Sequence, residues 1–166
     1  ERLRGYEDVV TIAERGGVLE RSEGRRLRAA AAAGPAKAAR VHARAVALRE
    51  AIFRLFARDE PSEEDLALVA VEAGEALSAR RLEVTGEGYR FTWPEGDELA
   101  RPLWPLAASA AELLTSEAHD RVKECAADNC NWLFLDESRN RSRRWCDMAV
   151  CGNRAKARRF SARQKG

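Results

Sequence analysis

"CAADNCNWLFLDESRNRSRRWCDMAVCGNR", residues 125–154, holds all four cysteines of the chain, spaced C-x4-C-x15-C-x4-C. Two equal close pairs separated by a loop let four thiolates converge on one tetrahedral ion at ~2.3 Å. Disulfides would need an oxidising compartment, for which nothing visible in the chain argues. A redox dithiol is more often C-x-x-C beside a βαβ pattern, which is missing here. Cysteines placed in a core by coincidence would not avoid the other 124 residues. Cys125, Cys130, Cys146 and Cys151 therefore read as the ligands of a structural Zn²⁺. Four protein thiolates leave no open position for water, so the zinc reads as structural and not catalytic.

The stretch is also the start of the chain's basic end. Residues 121–166 carry 12 Lys/Arg against 5 Asp/Glu, whereas residues 1–120 carry 17 against 22, so the net charge of +2 hides an acidic body beside a basic tail. That segregation suggests a polyanion partner, most often nucleic acid, with an anionic membrane surface as the competitor. A segment of about 45 residues this rich in charge buries too little apolar area to offset its chain entropy, and modules of this size usually need a metal or disulfide staple. Structural zinc supplies ~10–16 kcal/mol of apparent binding energy at neutral pH. Nearby arginines would partly neutralise the −2 charge of a four-thiolate zinc site.

Between the pairs, Asn131 to Leu135 is strand-like, with Trp132 and Phe134 on one side. Arg139, Arg141, Arg143 and Arg144 follow within six residues; the simpler alternative for such a run is a solvated loop. After Cys151 a helix is expected, anchored on one narrow side by Ala157, Phe160 and Gln164, with Arg154, Lys156, Arg158, Arg159, Arg163 and Lys165 over the rest. A helix that starts at the metal and carries six cations suits phosphates or a major groove. Asn153 and Arg154, at its start, either reach base edges or brace the zinc site by capping the helix or hydrogen-bonding sulfur. The nucleic-acid-binding set is thus Arg139, Arg141, Arg143, Arg144, Asn153, Arg154, Lys156, Arg158, Arg159 and Arg163, with the loop arginines and Arg158 on phosphate.

Upstream, residues 1–120 read as a mainly helical domain, joined at Ser116 to Asp120 to the module of residues 121–166. Residues 6–15 form a short helix with a Gly16-Gly17 stop, burying Val9, Ile12 and Ala13. A second helix runs to Gly34. Pro35 opens a long one to about Arg58, with Val41, Ala45, Leu48, Ile52 and Leu55 in one stripe. Ser62 and Asp65 make a capping pair for a fourth helix with Leu66, Val69, Ala73 and Leu77 on one face. Residues 82–93, with a Gly-Glu-Gly turn, are a β-hairpin. A last helix restarts near Leu103, with Leu106, Ala110 and Leu113 facing in. His42 reads as an ordinary structural or surface histidine and His119 as solvated. No Ser/His/Asp set, Gly-rich phosphate loop or His-Glu metal motif is visible, so the chain reads as a non-enzyme.

The residues from Cys125 to Phe160, with Arg143-Arg144-Trp145-Cys146, Met148 and Cys151-Gly152-Asn153-Arg154, closely resemble the CGNR zinc finger over residues 121–164. Residues 1–120 resemble the ABATE domain through "YEDVVTIAERGGVL", "RAVALREAIFRLF" and "LWPLAASAAELLTS". The resemblance implies a bacterial stress-related transcription regulator with a zinc-bound DNA-binding module, and makes the four cysteines the zinc ligands. ABATE domains usually open with a further strand-forming segment that this chain does not contain, so hairpin 82–93 is expected to lack a partner strand.

The expectation is an α+β chain: a mainly helical N-terminal domain with a small antiparallel hairpin, then a treble-clef-like four-cysteine module. DNA is the expected partner, with a small-molecule effector or homodimerisation assigned to the helical domain. Alternatives are an RNA- or ribosome-associated zinc protein and a thiol-based zinc redox switch. No run of about 18 apolar residues and no signal peptide is visible. The chain reads as soluble and cytoplasmic, and nucleoid-associated if it binds DNA.

Overall fold

The computed structural model describes residues 3–57 and 61–163, apart from the side chains of residues 159, 162 and 163. Its helices are α1 (Tyr6–Arg15), α2 (Arg21–Ala33), α3 (Pro35–Ala57), α4 (Glu63–Ser78), α5 (Leu103–Leu114) and α6 (Asn153–Arg163). Strands β1 (Arg81–Thr85) and β2 (Gly88–Thr92) form one two-stranded antiparallel sheet, and β3 (Val122–Glu124) and β4 (Leu133–Leu135) another. The architecture is the α+β arrangement expected. The long helix α3 ends at Ala57, and Arg58 lies outside the described residues.

Local chemistry sets the helix ends. Gly17 takes φ 70, and the Val18 N–H returns to the Ala13 carbonyl at 2.8 Å, which satisfies an orphan carbonyl of α1. Pro35 sits at the first position of α3, where its missing N–H costs nothing. Tyr6, Val10, Leu27, Val41, Leu99 and Leu103 build one core cluster where α1, α2 and α3 meet the start of α5. Further along, Leu48, Ala51, Val69, Ala107 and Ala110 pack α3 against α4 and α5, and alanines let these helices approach closely. The Tyr6 hydroxyl donates to the Leu99 carbonyl at 2.9 Å and ties α1 to the approach to α5.

Several expected inward residues point out. Ile12 is 47% exposed while Val10 is fully buried. The buried face of α1 runs through Tyr6, Val9, Val10 and Ala13, and Ile12 lies roughly 110° round from its centre at 100° per residue. On α4, Leu66 and Leu77 are exposed, while Asp65 and Glu72 are buried beside Val69, Ala73 and Ala76. Arginines of α3 draw both carboxylates inward: Arg54 takes Asp65 through two hydrogen bonds of 2.8 and 2.5 Å, and Arg44 takes Glu72 through two of 2.9 and 2.8 Å. This rotates the face of α4 away from the leucines. Ser62 stands at the N-cap without a side-chain cap, and Asp65 faces Arg54 instead of Ser62; a reciprocal capping box forms between Glu20 and Glu23 of α2. Leu106 is also exposed, because α5 turns Ala107, Ala108 and Ala110 inward.

Strands β1 and β2 pair Leu82 with Phe91 and Val84 with Tyr89, around a turn in which Gly88 has φ 128. This hairpin has no third strand among the described residues. Trp93 holds it to the body, with Nε1 donating to the Ala76 carbonyl at 2.8 Å and the Arg80 guanidinium 4.5 Å from the ring centroid. Strands β3 and β4 both pack on α3, so the cysteine-rich end of the chain rests on the longest helix of the body. Among the described residues no helix is long and apolar enough to cross a membrane.

Candidate metal centre and nucleic-acid interface

Strand β3 ends where Cys125 begins a tight loop to Cys130, so the first thiol pair lies at the tip of the β3–β4 hairpin. The Cys125 N–H donates to the Trp132 carbonyl at 2.9 Å, and the Cys130 N–H to the Ala127 carbonyl at 2.9 Å, closing the knuckle. The second pair arrives from the other side. Asp147 caps a π-helical turn, Met148–Gly152, by accepting the Val150 N–H at 2.9 Å, and α6 continues directly from it. Cys151 lies within that turn and Cys146 just before it. A cysteine knuckle and a helix start thus share one point, the treble-clef-like arrangement expected.

The four sulfurs lie within 4.8 Å of one another, with Cys130 to Cys146 and Cys146 to Cys151 at 3.7 Å each. Four sulfurs at ~2.3 Å from a tetrahedral ion stand about 3.8 Å apart. The fit to Zn²⁺ is therefore metric as well as chemical. Cys125 and Cys151 are buried, and Cys130 and Cys146 half-buried. Burial pushes the Cys125 thiol up, but the Cys146 and Ala127 N–H groups, together with the Cys146 and Cys130 thiols, outweigh it and bring the thiol to about 7. Burial and the neighbouring sulfurs push Cys146 up to about 12. Without a cation the cluster cannot ionise together; Zn²⁺ supplies the positive charge that lets four thiolates coexist.

Gly152 has a packing role at this junction, since a Cβ there would come 3.0 Å from the Met148 sulfur. Asn153 donates its side-chain amide to the Ala149 carbonyl at 3.0 Å, so in this structure it braces the turn that carries Cys151. Arg154 is exposed on α6. Ala157 and Phe160, expected to anchor α6, are both exposed, and Gln164 lies outside the described residues. The helix is held at its start, by buried Cys151 and Gly152 and half-buried Ala155, and projects beyond it.

The arginine loop divides in two. Arg139 and Arg141 are exposed, and Arg141 adopts a left-handed φ of 49, unusual for a side chain other than Gly or Asn. Arg143 turns inward: Nε donates to the Trp145 carbonyl at 2.9 Å, Nη2 to the Cys146 carbonyl, and the guanidinium lies 4.8 Å from the Phe134 ring centroid. Arg144 is exposed, 5.6 Å from the Trp145 ring centroid. On α6, Lys156 is exposed and Arg158 pairs with Asp128 of the knuckle loop. The side chains of Arg159 and Arg163 lie outside the described residues.

Sequence reasoning missed Asp136, whose carboxylate organises this loop. It is fully buried and accepts the Lys123 ammonium at 2.6 Å, the Ser138 hydroxyl at 2.5 Å and N–H at 3.0 Å, and the Arg143 N–H at 3.0 Å. Lys123 also donates to the Arg141 carbonyl, which pins the left-handed residue. The one available signal was the Asp-x-Ser step closing an apolar strand, a turn-forming pattern. Strand β3 was missed too, being only three residues long. The histidines stand apart from the metal ligands: His42 Nε2 meets the Leu3 carbonyl at 2.9 Å, and exposed His119 meets the Ser116 carbonyl at 3.0 Å and Asp120 at 2.9 Å.

Comparison with known proteins finds two family models along the chain. Residues 121–164 match the family model described as the CGNR zinc finger. Residues 1–117 match the ABATE model, described as "Putative stress-induced transcription regulator". No curated protein matches the chain.

Proposed function

We propose, since this chain belongs to the ABATE family and carries a CGNR zinc finger, that it regulates transcription, in a stress response, by binding DNA through the zinc module. One observation carries this reading. Zinc-site and Asp136 scaffolding hold an exposed cationic surface, Arg139, Arg141 and Arg144 from the loop and Arg154 and Lys156 from α6, on an otherwise acidic chain. Arginines in this density favour bidentate phosphate contacts over diffuse solvation. Arg143 acts here as a positioning residue, holding the Trp145 and Cys146 carbonyls. The helical domain supplies the regulatory input, through a small-molecule effector or through pairing of two copies, and the packing of β3 and β4 on α3 offers a route for it. We read the chain as a binding protein and not an enzyme, since both histidines are taken up by carbonyl or carboxylate partners.

The test is binding of the zinc-loaded full chain to a labelled random-sequence duplex across salt concentrations. If about six phosphates are neutralised, log K falls with log[salt] at a slope of about −5. A flat dependence sinks the reading. Tighter binding to structured RNA than to duplex DNA of equal length would move the assignment to an RNA-associated zinc protein. Selection of bound sequences from random duplex DNA then tests sequence specificity.

A further inference from the structure

The knuckle loop and the first turns of α6 enclose a cleft of about 380 Å³. Asp128 of the knuckle loop, Arg144 and Trp145 before the metal turn, and Arg154, Ala155 and Arg158 of α6 line it. Arg154 and Arg158 are four residues apart, one turn of α6, so they lie on the same side of the helix. Three guanidinium groups and an aromatic ring make a site for an anionic oxygen carried on a partly apolar body. The single carboxylate among the lining residues, Asp128, is paired with Arg158. Both partners are largely in water, with side chains 76% and 43% exposed, so the pair is a weak and easily exchanged one.

We propose that this cleft seats one phosphodiester of a DNA backbone together with its sugar, and that Asp128 holds the seat closed until a phosphate displaces it. The inference rests on the reading that the zinc module binds DNA. The Asp128 carboxylate occupies Arg158 Nη1 through one charge-assisted hydrogen bond, as a phosphate oxygen would. A phosphate brings the additional donors of Arg144 and Arg154 into play, whereas the Asp128 carboxylate bonds to Arg158. Asp128 is thus a built-in competitor: it lowers affinity for any phosphate backbone by having to leave Arg158.

The experiment uses the zinc-loaded full chain, a fluorescein-labelled random-sequence 20-base-pair duplex as the probe, and anisotropy titrations at several salt concentrations, with zinc content checked at one per chain in every variant. Asp128→Asn should tighten binding about threefold, the scale of a surface ion pair removed. Arg154→Gln and Arg158→Gln should each weaken binding and flatten the salt slope by about 0.9. In an Arg158→Gln background the gain from Asp128→Asn should vanish. Glu137→Gln, which removes an exposed carboxylate elsewhere in the module, controls for net charge. If Glu137→Gln tightens binding as much as Asp128→Asn, or if Asp128→Asn changes nothing while Arg139→Gln and Arg141→Gln still weaken binding, the cleft proposal is overturned and DNA binding stands. Failure of the unmodified chain to bind the duplex at all would overturn both.

Discussion

Asp136, fully buried, accepts the Lys123 ammonium at 2.6 Å, an ion pair that joins the end of β4 to the middle of β3 beneath the arginine loop. The same carboxylate takes two backbone N–H groups, of Ser138 and Arg143, so it sets the path of the chain between the two cysteine pairs. Lys123 and the Ser138 hydroxyl hold its carboxyl well below the usual carboxylate range, against the upward push of burial. The two partners are not equivalent. Lys123→Met leaves Asp136 with three hydrogen-bond donors, whereas Asp136→Asn sets an amide donor against the ammonium or the hydroxyl. Asp136→Asn should therefore release zinc to a chelator about tenfold faster than wild type, at the lower end of outer-shell effects on metal sites. Lys123→Met should release it less fast than that. Equal rates for the two variants would show that the ion pair, and not the backbone acceptor role, is what matters.

One zinc per chain is the expected content, and any single Cys→Ser at 125, 130, 146 or 151 should abolish it. Because apparent zinc binding of ~10–16 kcal/mol is folding energy for a module of this size, chelation should unfold β3, β4 and α6. The core clusters of α1–α5 contain none of the four cysteines, so their helical ellipticity should survive. Circular dichroism before and after chelation, with elemental analysis, checks both statements. Complete loss of helicity would mean that the module's packing on α3 holds the body together.

Features that depend on near neighbours in the chain were legible, and those that depend on a distant partner were not. The cysteine spacing, the α3 stripe from Val41 to Leu55 and the 82–93 hairpin are written in periods of a few residues. Leu66 and Leu77 look as apolar as Val69, and only Arg44 and Arg54, on another helix, decide that Asp65 and Glu72 are buried beside Val69 instead. In the same way the run Arg139 to Arg144 announces charge but not direction. Arg143 alone turns inward because Phe134, Asp136 and the Trp145 carbonyl wait for it. Asp136 itself is one acid among 27, and beyond the nearby Ser138 its partners stand 13 and 7 residues away.

Packing predicts a sharp contrast between leucines. Leu27 and Leu103 are buried almost completely in the first core cluster, and Leu→Ala at either should cost about 2–5 kcal/mol. Leu66 is 44% exposed, and Leu66→Ala should cost less than about 1 kcal/mol. Urea unfolding of the helical domain distinguishes them. A Leu66→Ala cost matching that of Leu27→Ala would mean that this face is covered in solution.

Gly24 lies under an ion pair. A Cβ at this position would stand 1.8 Å from the Glu14 carboxylate, which accepts Arg28 at 2.8 and 3.0 Å across α2. Glycine inside a helix costs about 1 kcal/mol relative to alanine. In a Glu14→Ala background Gly24→Ala should recover that amount, whereas in the wild type the displaced carboxylate should cancel the gain. Arg28 holds the Glu14 carboxyl below the usual range, against the upward push of its desolvation. The pair's stabilisation is then complete above the unfolded value of about 4.3 and is lost as pH falls through the lower folded value. Glu14→Gln should flatten that acid limb of the stability curve, as read from urea midpoints between pH 2 and pH 6. Parallel curves for the two proteins would remove Glu14 from the account.

Trp93 anchors a hairpin whose apolar face, Leu82, Val84, Tyr89 and Phe91, is exposed throughout. Its Nε1–H satisfies the Ala76 carbonyl in the last turn of α4, where the Arg80 N–H turns instead to the Leu77 carbonyl at 3.2 Å. Trp93→Phe keeps a ring beneath the Arg80 guanidinium but leaves that carbonyl without its donor, at a cost of about 1 kcal/mol. Two strands alone are marginal in water, so this loss should fall on the hairpin first. The β1 and β2 amides should exchange about fivefold faster, the factor that corresponds to about 1 kcal/mol, while amides in the first core cluster keep their protection. Val84→Thr, on the exposed face, should leave both unchanged. Hydrogen exchange read by mass spectrometry decides the matter: slow hairpin amides in Trp93→Phe would show that the strands are stabilised by something other than their attachment to α4.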